Sequence, residues 1–160
     1  RHIFNPAAFG LFISSLLFQN SISWWSVSFQ IPNLSFASIL FFLILLSPGF
    51  VSMILMRRYK ILIGFFLLYI MLSGTSQLLQ SSLNIKNLLM ETLFDPTTIF
   101  FSLVMLPEPM TTPNNPSRQL LFGAFVAIVA IFTGFIHSDF IPDVFILGLL
   151  VGNLVFFRFR

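Results

Sequence analysis

Cysteine is absent from this chain of 160 residues, and charged residues are scarce. Without cysteine, the chain forms no disulfide and offers no thiolate to zinc or to an iron–sulfur cluster. The two histidines, His2 and His137, lie in opposite parts of the sequence, which disfavours a bis-histidine haem site. Charged residues make up 8% of the chain, against about 25% in soluble proteins. These shortages argue against a soluble domain and against thiolate chemistry.

Apolar residues take the place of the missing charge. Hydrophobic residues make up 57% of the chain, and 23 residues are Phe. A water-soluble domain of this size could not bury so much apolar surface, because small domains leave a large share of their surface exposed. We therefore predict an integral membrane protein whose partner is the lipid bilayer. The eight basic residues are scattered and form no patch, so nucleic acid is not an expected partner.

Six apolar segments are separated by polar or proline-containing connections. A bilayer core of about 30 Å requires about 20 helical residues. The first and fourth segments are too short for that; the first is predicted to be a half-length helix or one extended by the amphipathic stretch at residues 14–20, and the fourth a half-length helix. The predicted fold class is an all-α bundle of about six transmembrane or half-length helices, which forms a single transmembrane domain over residues 1–160. The segments are residues 7–17, 34–56, 61–79, 99–106, 120–136 and 140–157.

The basic residues predict the orientation of these segments. If the loop at residues 57–60 is cytoplasmic, six crossings place seven of the eight basic residues on that side, with Lys86 as the exception. Both ends of the chain are then cytoplasmic. No signal-peptide pattern precedes the first apolar segment. We therefore expect a fragment of a longer polypeptide that lacks its N-terminal spans.

Two proline-containing segments, residues 4–10 and 105–113, interrupt the helical pattern. Irregular backbone is tolerated at membrane depth only where protein or a cavity satisfies it, and interrupted segments mark binding sites in membrane proteins. Proline also frees a backbone carbonyl. We predict that both segments are buried and line a binding site; the alternative is that they are loops at the bilayer surface. The candidate site residues are Asn5, Pro6, Gly10, Glu108, Thr111, Thr112 and Pro113.

The few ionisable residues have different predicted roles. Glu108 is a functional candidate because a carboxylate beside membrane-depth segments is costly; the alternative is a solvated side chain paired with Arg118. Asp95, followed by Pro, is predicted to cap a helix. The short turn at residues 137–143 makes the last two helices antiparallel neighbours and is not predicted to bind metal. No catalytic residue, nucleophile motif or nucleotide-binding motif is found.

The segments around Asn5 and Glu108 resemble a family of membrane subunits. This family includes the B subunit of sodium-pumping NADH:quinone reductase and the D subunit of the Rnf electron-transport complex. Its members carry a His-x-Phe-Asn-Pro-Ala segment, which matches residues 2–7. They also carry an Asp-Pro-Val-Thr-Ser-Pro-like segment, which corresponds to residues 108–113 with Glu in place of Asp. The Leu-Phe-Gly at residues 121–123 also fits, whereas the sequence between the motifs matches only in hydropathy.

This resemblance implies a fold related to the inverted repeat of urea transporters. Several family members carry a cytosolic flavin-dependent reductase domain after the last span, so the resemblance also implies that such a domain follows residue 160 in the longer polypeptide. The resemblance also implies a subunit of an electron-transfer system in the bacterial inner (plasma) membrane. If this subunit belongs to an enzyme, the implied enzyme is a flavin-dependent membrane oxidoreductase. The implied partners are a cytosolic flavin/NAD(P)H or ferredoxin-type electron donor and other membrane subunits. Members with a covalent flavin carry Ser-Gly-Ala-Thr, whereas Ser73-Gly74-Thr75 lacks the Ala. The expected cofactor is therefore a noncovalent flavin, either FMN or riboflavin.

Two other functions remain open from the sequence. One is a channel or transporter for a small neutral solute of the urea-transporter type, in which Leu106, Pro107 and Thr111 or Thr112 line a pore. The other is a purely structural subunit of a larger complex. The colour of the purified protein distinguishes the flavin hypothesis from both.

Overall fold

The computed structural model describes residues 2–19, 36–79, 88, 92, 95–136 and 142–159. Within these ranges every regular element is helical, as predicted, and six helices follow one another; the polar turn at His137 and Asp139 lies outside the described residues. The helices are α1 (Pro6–Phe18), α2 (Phe36–Leu55), α3 (Tyr59–Leu79), α4 (Pro96–Phe100, continued by a π-helical turn, Phe101–Met105), α5 (Pro116–Phe135) and α6 (Val144–Phe156, continued by a 3-10 turn, Phe157–Phe159).

Three of the helices begin with the same signal, Asn or Asp followed by Pro. Asn5, Asp95 and Asn115 are the N-caps of α1, α4 and α5, and their side-chain oxygens accept a backbone N–H at 3.0, 2.7 and 3.0 Å. Proline suits the first helical position because its N–H would have no partner there and its φ is already helical. The capping role predicted for Asp95 is confirmed.

The helices fall into two length classes, and the longer class, with 20 or 21 residues each, comprises α2, α3 and α5. Among the described residues, α3 and α5 are the two helices long and apolar enough to cross a bilayer by length and composition. By contrast, α1 and α6 have 13 residues each, and α4 with its π-helical turn is shorter still. The half-length helices predicted for the first and fourth segments are therefore present, and α6 joins them.

The closest helix packing is between α3 and α5. A Cβ atom added at Gly64 of α3 would lie 2.1 Å from the carbonyl oxygen of Leu120, and one added at Gly123 of α5 would lie 2.0 Å from that of Ile61. The two backbones are therefore in direct contact. Since the four residues lie in the first turns of their helices, α3 and α5 start at the same end of the bundle.

Helix α6 runs antiparallel to α5. A Cβ atom at Gly148 would lie 3.0 Å from the carbonyl oxygen of Val126, and a Cβ atom at Gly152 would lie 3.2 Å from the ring of Phe122. Gly152 is one turn after Gly148 in α6, whereas Phe122 is one turn before Val126 in α5. The antiparallel arrangement predicted for the last two helices is confirmed. It brings the C-terminal end of α6 to the end of the bundle where α3 and α5 start.

Aromatic side chains fill the core between α3, α4 and α6. Phe101 stacks on Phe145 with ring centroids 5.0 Å apart, and Phe65 lies 5.7 and 6.2 Å from these two rings. Tyr69 stacks on Phe65 at 5.3 Å. Such pairs contribute about 0.5–1.5 kcal/mol each beyond their area burial. This packed cluster fixes α4 against the longer helix α3.

Charged side chains of the described residues separate along the bundle. Asp95 and Asp143 cap α4 and α6, the helices that end near the start of α3 and α5. These two acidic residues therefore lie at the end of the bundle away from the start of α3 and α5. Glu108 is the exception, because it follows the end of α4 and lies at the same end of the bundle as the basic residues. The basic residues of that end are Arg57, Arg58, Lys60, Arg118 and Arg158.

Candidate functional site

The two proline-interrupted segments meet in a buried polar cluster, here called the junction, formed by Asn5, Met105, Thr111 and Asn153. The Asn5 side chain, 5% exposed, donates its Nδ2–H to the carbonyl oxygen of Met105 at 3.4 Å. The Asn153 amide, oriented so that both neighbours are satisfied, donates to the carbonyl oxygen of Thr111 and accepts from the backbone N–H of Asn5, each at 3.1 Å. Asn153, which is fully buried, therefore connects both segments to α6.

Proline explains why backbone carbonyls are available at this place. In an α-helix the carbonyl of one residue accepts from the N–H four residues later. Pro107 and Pro109 have no N–H, so neither Leu103 nor Met105 can have its usual helical partner. The Met105 carbonyl binds the Asn5 side chain instead, and the Leu103 carbonyl faces α2, 3.2 Å from where a Cβ atom of Gly49 would lie.

The junction lies inside the bundle rather than on its end face. Asn153 follows Gly152, which packs against the ring of Phe122. Phe122 is six residues beyond Pro116, where α5 starts. With a rise of 1.5 Å per residue, this places the junction about 5–9 Å below the helix start.

Glu108 closes the turn that follows α4. Its Oε2 accepts a hydrogen bond from the hydroxyl of Thr111 at 2.7 Å, and its carbonyl oxygen accepts from the hydroxyl of Thr112, also at 2.7 Å. Both threonines are buried, whereas Glu108 is half-buried. The two hydroxyls thus hold the turn in shape, and the carboxylate is part of it rather than a fully solvated group.

Arg58 is a site residue that the sequence analysis missed. Only 6% exposed, it donates from Nη1 to the carbonyl oxygen and hydroxyl of Thr112, at 3.2 and 2.8 Å, and to the carbonyl oxygen of Pro113. Its Nη2 donates to Oδ1 of Asn114 at 2.6 Å. Burial lowers the pKa of the guanidinium, which nevertheless stays charged at any ordinary pH. Sequence alone gave no sign that Arg58, rather than the exposed Arg57, turns inward.

Gln119 is the second residue that was missed. It lies in the first turns of α5, is 3% exposed, and donates its Nε2–H to the carbonyl oxygen of Asn114 at 3.4 Å. Its Oε1 atom is buried, and no donor within the described residues reaches it. A buried acceptor left without a donor costs about 1–3 kcal/mol. Gln119 therefore has a buried acceptor without a donor among the described residues, and no sequence pattern marks it.

Five of the seven predicted site residues come together in the structure. Asn5 and Thr111 belong to the junction, and the other three form the adjoining turn that Arg58 holds. Pro6 and Gly10 are exposed on α1, and a Cβ atom at Gly10 would meet nothing within 4 Å. Their contribution to a site stays a prediction. The residues of the adjoining turn are Glu108, Thr112 and Pro113.

In the part of the chain that the structure describes, no group of three or more His, Asp or Glu side chains is placed to hold a metal ion. The fold and the site thus define an all-helical bundle in which two proline-interrupted segments meet in a buried polar junction. No protein-family model, curated protein or solved structure matches the chain.

Proposed function

We propose that the chain is an integral membrane subunit of an electron-transfer system, which holds a noncovalent flavin beside the junction and receives electrons from a cytosolic donor. One observation carries this proposal. The two segments that resemble the electron-transfer family lie about a hundred residues apart in sequence, yet they meet through the buried bonds of Asn5 and Asn153. A motif pair that forms one structural unit supports a shared role.

The apolar surface supports the membrane assignment. In the spanning windows of α3 and α5, 17% and 33% of the residues are buried, whereas the core helix of a soluble protein would be mostly buried. Large apolar side chains elsewhere are also open, such as Leu17 at 72% and Leu79 at 87% exposed. Apolar surface on this scale favours lipid as the surrounding medium.

The residues beside the junction fit the edge of a flavin. The isoalloxazine ring presents one N–H donor between two carbonyl acceptors. Gln119 supplies a buried acceptor without a donor, and Arg58, which binds the side chain of the same Asn114, supplies a positive charge. When bound, the flavin would supply the redox chemistry, and the chain would supply position and electrostatics. Asn5 and Asn153 fix the two segments relative to each other.

Threonine burial supports noncovalent attachment. Thr98, Thr111 and Thr112 are at most 1% exposed, so none of them could carry a flavin phosphate without rearrangement of the fold. The Thr98 hydroxyl, moreover, donates to Asp95 at 2.8 Å. Thr75 is exposed, and it is the first residue to test if a covalent flavin is found.

The proposal is tested at Asn153. Replacing Asn153 with Leu leaves the Asn5 N–H and the Thr111 carbonyl unpaired, at about 1–3 kcal/mol each. We expect the flavin-to-protein ratio after purification to fall at least severalfold. Leu154→Ala is the matched control, because Leu154 is the next residue of α6 and is 59% exposed; it should retain the flavin. Full flavin content in a folded Asn153→Leu protein would contradict the proposal.

A second candidate function is a pore for a small neutral solute. It is favoured by the neutral character of the junction, in which Asn5, Thr111 and Asn153 offer amide, hydroxyl and carbonyl groups but no charge. A colourless protein that accelerates urea uptake into liposomes would support this function. A flavin-containing protein without such transport would exclude it.

A further inference from the structure

Gln119 and Arg58 form a pair with complementary hydrogen-bonding character. Both side chains bind Asn114, Gln119 through the Asn114 carbonyl oxygen and Arg58 through its Oδ1. Gln119 offers the buried acceptor Oε1. The four bonds of Arg58 use Nη1 and Nη2 and leave its Nε–H outside them. The pair thus presents an acceptor and a donor.

Asn114 links this pair to the surface of the protein. Asn114 is exposed, whereas Gln119 and Arg58 are buried. Both buried groups are therefore hydrogen-bonded to a residue that is exposed at the surface. A polar group with both a donor and an acceptor on one edge suits this pair better than an anion, which would leave the Gln119 oxygen without a donor.

We propose that Gln119 binds the imide edge of the flavin, with its Oε1 accepting the ring N3–H, while Arg58 donates to the adjacent ring carbonyl. This inference rests on the proposed function and assigns it a specificity-determining residue. It gives the buried Oε1 atom the donor that the described residues do not supply. It also distinguishes a flavin from ligands that lack an imide, such as a lipid phosphate.

The test compares two flavins that differ by one methyl group. FMN and 3-methyl-FMN are titrated into the flavin-depleted full-length protein in detergent, and binding is measured by quenching of flavin fluorescence. The methyl group removes the N3–H and leaves the rest of the ring unchanged. We expect the wild-type protein to bind FMN about tenfold more tightly than 3-methyl-FMN, because a buried acceptor loses its donor.

Two variants locate the effect. Gln119→Leu should bind both flavins with affinities within about twofold of each other, since the acceptor is gone. Gln77→Leu is the matched control, because Gln77 also has a buried Oε1 without a donor in the described part of the chain. Gln77 lies in the last turn of α3, about 27 Å along the helix from its start near Arg58. This variant should keep the tenfold preference.

Equal binding of the two flavins by the wild-type protein would overturn the inference, because Gln119 would then be satisfied by water. A preference that persists in Gln119→Leu would overturn it too. If Gln119→Leu does not fold, the comparison of the two flavins on the wild-type protein still decides. A wild-type protein that binds neither flavin would remove the proposed function, and this inference with it.

Discussion

The contact between α3 and α5 gives the sharpest prediction about the fold. A Cβ atom at Gly64 would approach the carbonyl oxygen of Leu120 to 2.1 Å, and one at Gly123 would approach that of Ile61 to 2.0 Å. Ordinary contact requires more than 3 Å, so the helices would have to separate by roughly 1 Å. The obstructing atoms belong to the backbone and cannot rotate away. Forced overpacking of this kind costs about 1–3 kcal/mol, and sometimes more.

Where space allows, alanine in a helix is more favourable than glycine by about 0.5–1 kcal/mol. An unobstructed Gly→Ala variant should therefore differ clearly in stability from the two obstructed ones. Gly134→Ala is that control, because Gly134 also lies in α5 and a Cβ atom there meets nothing within 4 Å. We expect Gly64→Ala and Gly123→Ala each to lower the free energy of unfolding by about 1–3 kcal/mol. Gly134→Ala should be neutral or slightly stabilising.

Thermal unfolding of the purified protein in detergent measures this difference. For a chain of this length, each kcal/mol shifts the Tm by roughly 2–4 °C. Gly64→Ala and Gly123→Ala should therefore unfold about 2–12 °C below the wild type. A Tm equal to or above that of Gly134→Ala for either variant would refute the close approach of α3 and α5.

Three further predictions concern the basic end of the bundle and the orientation of the chain. Arg58→Lys keeps the charge but cannot make four bonds to the turn, so it should lower the free energy of unfolding by about 2 kcal/mol or more; Arg57→Gln, at an exposed position, should stay within about 0.5 kcal/mol in the same unfolding assay. Glu108→Gln should remain folded but retain less flavin after purification, and unchanged retention would reduce Glu108 to a structural role in its turn. A cysteine at Tyr59 should be labelled by a membrane-impermeant maleimide only from the cytoplasmic side and one at Ser138 only from the other; labelling of both from one side would contradict six crossings.

Sequence was sufficient to predict the helices, because apolar length and Asx-Pro starts are local signals. The N-cap at Asp95, the half-length helix after Asn5 and the antiparallel pair α5 and α6 each followed from a few adjacent residues. Prolines at the ends of short apolar runs mark places where backbone groups need partners, and the two interrupted segments meet in the junction; that they line a binding site stays a prediction. Local chemistry was therefore enough for the elements and for the places where the helices are interrupted.

The partners of those segments could not be predicted in the same way. Asn153 lies within an apolar helix and has no motif around it, yet it holds Asn5 and Thr111 together. Arg58 looked like one more basic residue of a cytoplasmic loop, and Gln119 like an ordinary polar residue near a helix start. Their roles depend on which helix faces which, and that is decided by contacts distant in sequence, such as the approach of α3 to α5.

The absorbance spectrum of the full-length protein, purified from its native membrane, tests the central claim most directly. We expect the two visible bands of an oxidised flavin, which bleach on reduction. After denaturation the colour should leave with the small molecules, and a denaturing gel should show no fluorescent band at the mass of the chain. A fluorescent band would contradict noncovalent attachment. A colourless native protein would contradict the electron-transfer function itself.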